Sequence, residues 1–167
     1  MAAARRWIIA LALVWLGHSA GAADLSGNAR VIDGDTISIG DTRIRLWGID
    51  APEREQTCLG KNGDVYECGQ DSAAVLGELT HHGRVECERK DYDRYGRVVA
   101  VCRSDSDELN LTMVRRGWAV DYAKYSGGRY RTEEQQARRE RLGIWAKRFE
   151  TPWEWQHRRA GANDGSR

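Results

Sequence analysis

The chain contains 167 residues, of which 26 are Lys or Arg and 25 are Asp or Glu, so its formal net charge is +1. This nearly neutral balance excludes a protein that attracts nucleic acid through its overall charge, and any such contact must come from a local site. The length is typical of one domain.

The first 22 residues are predicted to be a secretory signal peptide. Arg5 and Arg6 precede an apolar run at residues 7–16, and the small residues AGA at positions 20–22 have the usual cleavage spacing. The run is shorter than the roughly 20 residues of a transmembrane helix; an uncleaved membrane anchor is the alternative. We therefore expect an exported protein, periplasmic or secreted, without membrane contact after cleavage. Without those two arginines, 24 basic and 25 acidic residues give a net charge of −1.

Three short strands are expected next, at about residues 28–32, 36–39 and 42–47. The DGD triplet at residues 33–35 is a turn signal between the first two strands. The Gly-Asp pair at residues 40–41 is a two-residue hairpin turn, so the second and third strands should be antiparallel.

The rest of the chain combines helices with one hairpin. A long irregular loop reaches about residue 69, and helical spacing then predicts helices at residues 72–79 and 108–117. A capping-box pattern opens a basic helix at residues 132–142, and residues 151–167 are expected to be a tail, partly disordered. Five short strands with a helix between the third and fourth predict a five-stranded OB-fold barrel with about three helices, an α+β and mainly β domain at residues 23–150.

Four cysteines in an exported chain favour disulfides over metal ligation. If the hairpin turn is centred on DRYG at residues 93–96, Cys87 and Cys102 lie opposite each other. Cys58 and Cys68 then close the loop CLGKNGDVYEC. A zinc site is the competing interpretation, but the sequence has no tight Cys-x-x-Cys pair.

Acidic residues stand where two strands end. Asp35 opens the second strand and Asp50 follows the third, so the antiparallel pairing should bring both to one end of the barrel. Two neighbouring carboxylates repel each other unless a cation or a proton neutralises them. Hard oxygen ligands with a nearby backbone carbonyl suit Ca²⁺, although Mn²⁺ or Mg²⁺ can occupy such sites. An EF-hand is excluded because the acids do not lie in one continuous loop.

Glu53 and two arginines would complete a site for phosphoryl transfer. Glu53 follows Asp50 closely, where it can reach a water near the ion; Arg45 is on the strand before it, and Arg97 follows the hairpin turn. Phosphoryl transfer needs a Lewis acid, an activated nucleophile and clamps on the developing charge. Arginine pairs its planar fork with two phosphate oxygens. Each motif alone is also ordinary turn or loop composition, so the prediction depends on their combination.

The ordered motifs VIDGDT, IRLWGIDAPE, DRYGR and RRERLGIWA resemble those of staphylococcal nuclease and its thermonuclease relatives over residues 31–145. The resemblance implies an OB barrel and a Ca²⁺-dependent phosphodiesterase that cuts DNA and RNA with little sequence preference, leaving 3′-phosphate ends. By motif position it implies metal binding by the carboxylates of Asp35 and Asp50. The backbone carbonyl of Ala51 would be a further ligand, so the threonine-to-alanine difference from staphylococcal nuclease should be tolerated there.

The same resemblance implies the residues that act on the substrate. Glu53 would orient or deprotonate the attacking water, and two arginines would stabilise the transition state. Two residues of DRYGR would contact a phosphate of the bound nucleotide. A tyrosine would stack on a base, for which Tyr122 and Tyr125 are both candidates. The implied residues are Arg45, Glu53 and Arg97 for catalysis, and Arg94, Tyr95 and Tyr125 for substrate binding.

Two other functions stay open. An OB-fold module could bind single-stranded nucleic acid or a protein without catalysis, although such a module need not keep all five catalytic and metal-binding side chains. A hydrolase could act on another phosphodiester, such as a surface polymer. The loop at residues 56–69, with two cysteines that staphylococcal nuclease lacks, should rigidify the wall beside Glu53 or alter substrate access. We expect a monomer.

Overall fold

A curled, mixed β-sheet organises the chain in the computed structural model, which describes residues 25–60, 62–81, 83–146 and 148–164. The predicted signal peptide at residues 1–22 lies outside these ranges. Over the residues described, no helix combines the length and the apolar character needed to cross a membrane. The strands are β1 (Leu25–Gly27), β2 (Ala29–Val31), β3 (Thr36–Ile39), β4 (Thr42–Leu46), β5 (Ile49–Asp50), β6 (Cys58–Leu59), β7 (Val65–Tyr66), β8 (Val85–Tyr92), β9 (Val98–Ser104), β10 (Asp107–Glu108) and β11 (Val120–Asp121).

Helices lie between the later strands and after the last strand in chain order. They are α1 (Cys68–His81), α2 (Leu109–Arg115), α3 (Ala123–Ser126), α4 (Arg131–Glu140) and α5 (Pro152–Asp164), with a 3-10 helix at Gly143–Ala146. The helices predicted at residues 72–79, 108–117 and 132–142 correspond to α1, α2 and α4, whereas α3 and α5 were not predicted.

The sheet closes on itself through its first two strands, which are separated only by Asn28. β1 pairs antiparallel with β8, whereas β2 pairs antiparallel with β3. The strand order is β1-β8-β9-β4-β3-β2, so this bent segment joins the two ends of the sheet. The β4–β9 pair is parallel and the other pairs along that path are antiparallel. The predicted OB-like fold, mainly β with helices, is therefore confirmed.

The alternation of side chains along β4 decides which of them enter the barrel. Ile44 and Leu46 are buried in the hydrophobic core, whereas Arg43 and Arg45 are more exposed on the other face. Successive side chains of a strand point to opposite faces, so a register shift of one residue would turn Arg45 into the core. The pairing of Thr36 with Arg45 fixes that register and sets Arg45 beside the start of β3.

The predicted capping box of the basic helix is absent, and α4 begins one residue earlier than expected. Its N-terminal cap is Tyr130, which makes no side-chain capping hydrogen bond. The Tyr130 side chain is fully buried, and its hydroxyl donates to Glu108 Oε1 over 2.9 Å. Tertiary packing of this tyrosine therefore sets the helix start in place of the local capping signal.

The segment expected to be a tail contains helix α5. The Thr151 backbone N–H and hydroxyl both donate to Glu154 Oε2, over 3.0 and 2.6 Å. Pro152 occupies the first helical position, where its missing N–H has no cost. The stretch TPWE thus carries two helix-start signals, and Trp155 is buried.

The structure contains the disulfides Cys58–Cys68 and Cys87–Cys102, the pairing that the hairpin favours. Cys87 and Cys102 are direct partners in the β8–β9 register. A β-bulge between Arg89 and Asp91 shifts the register by one residue between the turn and that bridge. Without this extra residue, the pairing of Tyr92 with Val98 would set Cys87 opposite Arg103, so the bulge brings the two cysteines into register.

We predict that replacing Cys87 and Cys102 together by Ala lowers the free energy of unfolding by about 2–4 kcal/mol, because the unfolded chain regains the conformational entropy that the disulfide-closed loop removes. Urea unfolding of the oxidised wild type and of the C87A/C102A variant measures the difference. Equal unfolding midpoints and slopes for the two proteins would contradict the prediction.

Candidate active site

Arg45 lies between two buried aspartates at one end of the barrel. Its Nη1 donates to Asp35 Oδ1 over 2.9 Å, and its Nη2 donates to Asp50 Oδ1 over 2.5 Å. Both aspartate side chains are 4% exposed and that of Arg45 is 20% exposed. Gly48, with a φ of 73°, turns the chain between β4 and β5, which returns Asp50 to the start of β3. The expected convergence of the two carboxylates is therefore found.

The Asp35 carboxylate accepts further hydrogen bonds that fix its orientation. The Thr36 hydroxyl donates to Oδ1 and the Ala51 backbone N–H donates to Oδ2, each over 3.0 Å. The preceding Gly34 packs against α1, since a Cβ there would lie 2.0 Å from Ser72 Oγ and 2.8 Å from the Ala51 Cβ. The side of the site next to Asp35 thus tolerates no larger residue at position 34.

The site holds more negative than positive charge. Burial, and then the charge of Asp35, raise the pKa of both Asp33 and Asp50 to about 7. The same two causes raise the pKa of Glu53, and the charge of Asp35 raises the pKa of the Arg45 guanidinium. One guanidinium therefore does not neutralise the cluster, and a further cation would be stabilised there.

The donor set suits a hard cation that keeps several waters. Among the described residues, no group of three or more His, Cys, Asp or Glu side chains is arranged to hold a metal ion. Asp35 and Asp50 would supply two carboxylates, and the Ala51 carbonyl a third oxygen. Calcium binds six to eight oxygens, and waters are common among them. The chemistry of these three oxygen donors is therefore compatible with Ca²⁺.

Glu53 is held beside this cluster by two glutamines. Its backbone N–H donates to Gln56 Oε1 over 3.2 Å, and Gln156 Nε2 donates to its carboxylate Oε1. Gln56 is fully buried, and its own Nε2 donates to the Glu150 carbonyl over 2.8 Å. The loop around Glu53 is therefore connected to the C-terminal part of the chain.

Arg97 lies on the same face of the sheet as Arg45 but is paired elsewhere. In the parallel β4–β9 register Arg45 lies opposite Val99, and Arg97 precedes Val99 by two residues, so alternation puts both arginines on one face. The Arg97 Nε donates to Asp93 Oδ2 over 2.6 Å. The structure therefore places Arg97 on the same face as Arg45, paired with Asp93 and not with the Asp35–Arg45–Asp50 cluster.

The proposed substrate-binding residues lie on exposed surfaces. Tyr95 is 68% exposed, and the Arg94 guanidinium lies 4.7 Å from its ring centroid. Tyr125 is 57% exposed. The Tyr122 ring is stacked on Trp153 at 5.8 Å, with its edge contact to Tyr125 at 4.9 Å. Of the two candidate stacking tyrosines, Tyr125 therefore has the freer ring.

Comparison with known families identifies the family of the chain. A family model described as "Staphylococcal nuclease homologue" matches residues 43–147, which include Arg45, Asp50, Glu53 and the DRYGR motif. The chain belongs to this family. The family predicted from the sequence motifs is therefore confirmed.

Relatives of this staphylococcal nuclease homologue cover most of its length. Micrococcal nuclease of Shigella flexneri is 32% identical over 173 residues, covering 93% of this chain and 92% of the relative. An uncharacterized endonuclease of Escherichia coli is 34% identical over 145 residues, covering 82% and 88%. The succinoglycan biosynthesis protein ExoI of Rhizobium meliloti (strain 1021) is 41% identical over 138 residues, covering 81% and 72%.

Two residues of the candidate active site were not predicted from the sequence. Gln56 and Gln156 both hydrogen-bond Glu53, one at its backbone and the other at its carboxylate. Nothing local marks Gln56, because its role depends on burial. The helix that carries Gln156 had a signal in TPWE, which the interpretation of this segment as a tail missed.

We predict that Arg45→Met lowers the free energy of unfolding by about 3 kcal/mol at pH 7 without divalent metal. Removing one partner of a buried ion pair costs about 3–5 kcal/mol, and the partial exposure of Arg45 places the loss at the low end. Urea unfolding measures it. Arg43→Met, on the same face of β4 but exposed, is the matched control and should change stability by less than about 0.5 kcal/mol. Equal losses in the two variants would contradict a role for the buried pair.

Proposed function

We propose that the protein is an exported, Ca²⁺-dependent phosphodiesterase that hydrolyses DNA and RNA with little sequence preference and leaves 3′-phosphate ends. The observation that carries the proposal is Glu53 beside the buried Asp35–Arg45–Asp50 cluster. Membership of the staphylococcal nuclease homologues, and relatives named as a nuclease and an endonuclease, support it.

Asp35, Asp50 and the Ala51 carbonyl would hold Ca²⁺. When bound, this ion would act as a Lewis acid toward the phosphate oxygens and toward water. Glu53 accepts a proton from the attacking water. Burial raises the pKa of Glu53, so its carboxylate is a better proton acceptor than an exposed glutamate. The water oxygen bonds to phosphorus, and the bond from phosphorus to the 5′-oxygen breaks. The 5′-oxygen takes up a proton from solvent and leaves as a hydroxyl, Glu53 returns its proton to solvent, and the phosphate stays on the 3′ side.

Two arginines stabilise the charge that develops on the phosphate. Arginine has five N–H donors, and the ion pairs of Arg45 with Asp35 and Asp50 use two of them, which leaves three for phosphate oxygens. Arg97 starts from its ion pair with Asp93 and turns toward the phosphate when substrate binds. Such charge-assisted contacts matter most where charge increases in the transition state.

Exposed residues at the edge of the site bind the neighbouring nucleotides. Arg94 and Tyr95 contact a phosphate of the bound nucleotide, and Tyr125 stacks on a base. Stacking contributes about 1–3 kcal/mol per base and depends little on base identity, which fits low sequence preference.

Export accounts for the two disulfides. Structural disulfides persist in oxidising compartments such as the periplasm, and the bridges Cys58–Cys68 and Cys87–Cys102 are both formed. We propose cleavage after residue 22 and a monomeric mature protein that begins at residue 23.

A phosphodiester outside nucleic acid is the second candidate substrate. The observation that favours it is the 41% identity to a relative named for succinoglycan biosynthesis. If nucleic acid is the true substrate, a short dinucleotide will compete poorly with DNA, because it lacks the contacts at the edge of the site. Competition at equal phosphate concentration separates the two candidates.

We predict that Glu53→Gln lowers kcat on DNA and RNA by at least about 10²-fold, since loss of a general base removes about 10²–10⁴-fold. The oxidised mature protein is assayed on both substrates with Ca²⁺, with Mg²⁺ and with chelator. Wild-type cleavage is expected with Ca²⁺ and not with chelator.

Glu55→Gln is the matched control, since it changes an exposed acid two residues away in the same loop; it should keep the wild-type rate. Wild-type activity in the Glu53 variant would contradict the assigned mechanism. A folded wild type that binds single-stranded DNA but cuts nothing under any metal would favour a non-catalytic binding module.

A further inference from the structure

The chain after residue 147 is attached to the loop that carries Glu53. Arg148 and Leu59 exchange two backbone hydrogen bonds of 3.1 Å and form an isolated β-bridge. Two residues further on, the Glu150 carbonyl accepts the hydrogen bond from buried Gln56. These contacts fix where α5 starts relative to the active site.

The rotation of α5 about its own axis is fixed by further contacts. Arg158 makes a two-pronged ion pair with Glu150, with its Nε and Nη2 at 3.0 and 2.8 Å from the carboxylate oxygens. Trp153 stacks on Tyr122, with the two ring planes 13° apart. Residues three apart lie on one helix face, so the docking of Trp153 turns Gln156 toward the site.

Gln156 presents a neutral donor to the Glu53 carboxylate. Its Nε2 donates to Oε1 of Glu53, which leaves Oε2 for the attacking water. Through this one hydrogen bond the amide fixes the orientation of the carboxylate without adding a charge to the site.

We propose that Gln156 is a positioning residue for Glu53, so that α5 is part of the active site. This inference rests on the proposed function, because it assigns Gln156 no role except through Glu53. Correct placement of a catalytic group is worth a large factor, since a misplacement of about 1 Å can cost about 10²-fold in rate.

The test is steady-state kinetics of the full mature protein on single-stranded DNA with Ca²⁺. Gln156→Ala should lower kcat by about 10- to 100-fold and change KM by less than about threefold. The hydrogen bond from Gln156 positions Glu53, which acts on the reacting water, and it makes no contribution to substrate binding. Gln156→Glu, which keeps the size but replaces the donor by a like charge, should lose at least as much. His157→Ala, at the exposed neighbouring position of the same helix, is the matched control and should match the wild type.

A double mutant separates positioning from a general loss of structure. If Gln156 acts through Glu53, adding Gln156→Ala to the Glu53→Gln variant should lower its residual rate by less than about twofold. Losses that multiply, a Gln156→Ala variant with wild-type kcat, or one with raised kcat would each overturn the proposal. If Glu53→Gln is nearly inactive while Gln156→Ala is normal, only this inference fails. If Glu53→Gln is itself normal, the mechanism assigned to Glu53 fails too, and a wild type that cuts neither DNA nor RNA under any metal would overturn the proposed function itself.

Discussion

The ion pairs of Arg45 with Asp35 and Asp50 are the interaction on which the site depends. Arg45 is on β4, Asp35 precedes β3 and Asp50 ends β5, so one guanidinium joins three segments at the barrel end. Without it, two carboxylates would lie buried and close to each other, which is strongly unfavourable. Burial, and then the negative charge of Asp35, raise the pKa of Asp50 to about 7. The Arg45 guanidinium thus stabilises the fold but does not neutralise the site, where a further cation would be favoured.

A second constraint places the loop that carries Glu53 between two rigid supports. The Cys58–Cys68 disulfide attaches it to the first residue of α1. Buried Gln56 and the bridge from Leu59 attach it to the C-terminal segment. A catalytic group works best when packing and hydrogen bonds restrict its position. The site is therefore built on a fixed loop, although loops are usually the more mobile parts of a protein.

Local patterns in the sequence were sufficient to predict the OB-like fold and the meeting of Asp35 and Asp50 at one end of the barrel. The hairpin turn at residues 40–41 made β3 and β4 antiparallel, and from this the meeting of Asp35 and Asp50 could be derived. The ion pair of Arg97 with Asp93 could not be derived in this way, because sequence spacing does not determine which of several possible partners an arginine contacts. The contact of Glu53 with Gln156 joins residues 103 positions apart, and only the docking of α5 creates it.

The most direct test of the account is hydrolysis of a defined oligonucleotide by the oxidised mature protein in H₂¹⁸O with Ca²⁺, followed by mass analysis of the products. Attack by a water that Glu53 activates, with loss of the 5′-oxygen, predicts ¹⁸O in a 3′-phosphate and a 5′-hydroxyl without label. Products with 5′-phosphates, or with unlabelled 3′-phosphates, would contradict this mechanism.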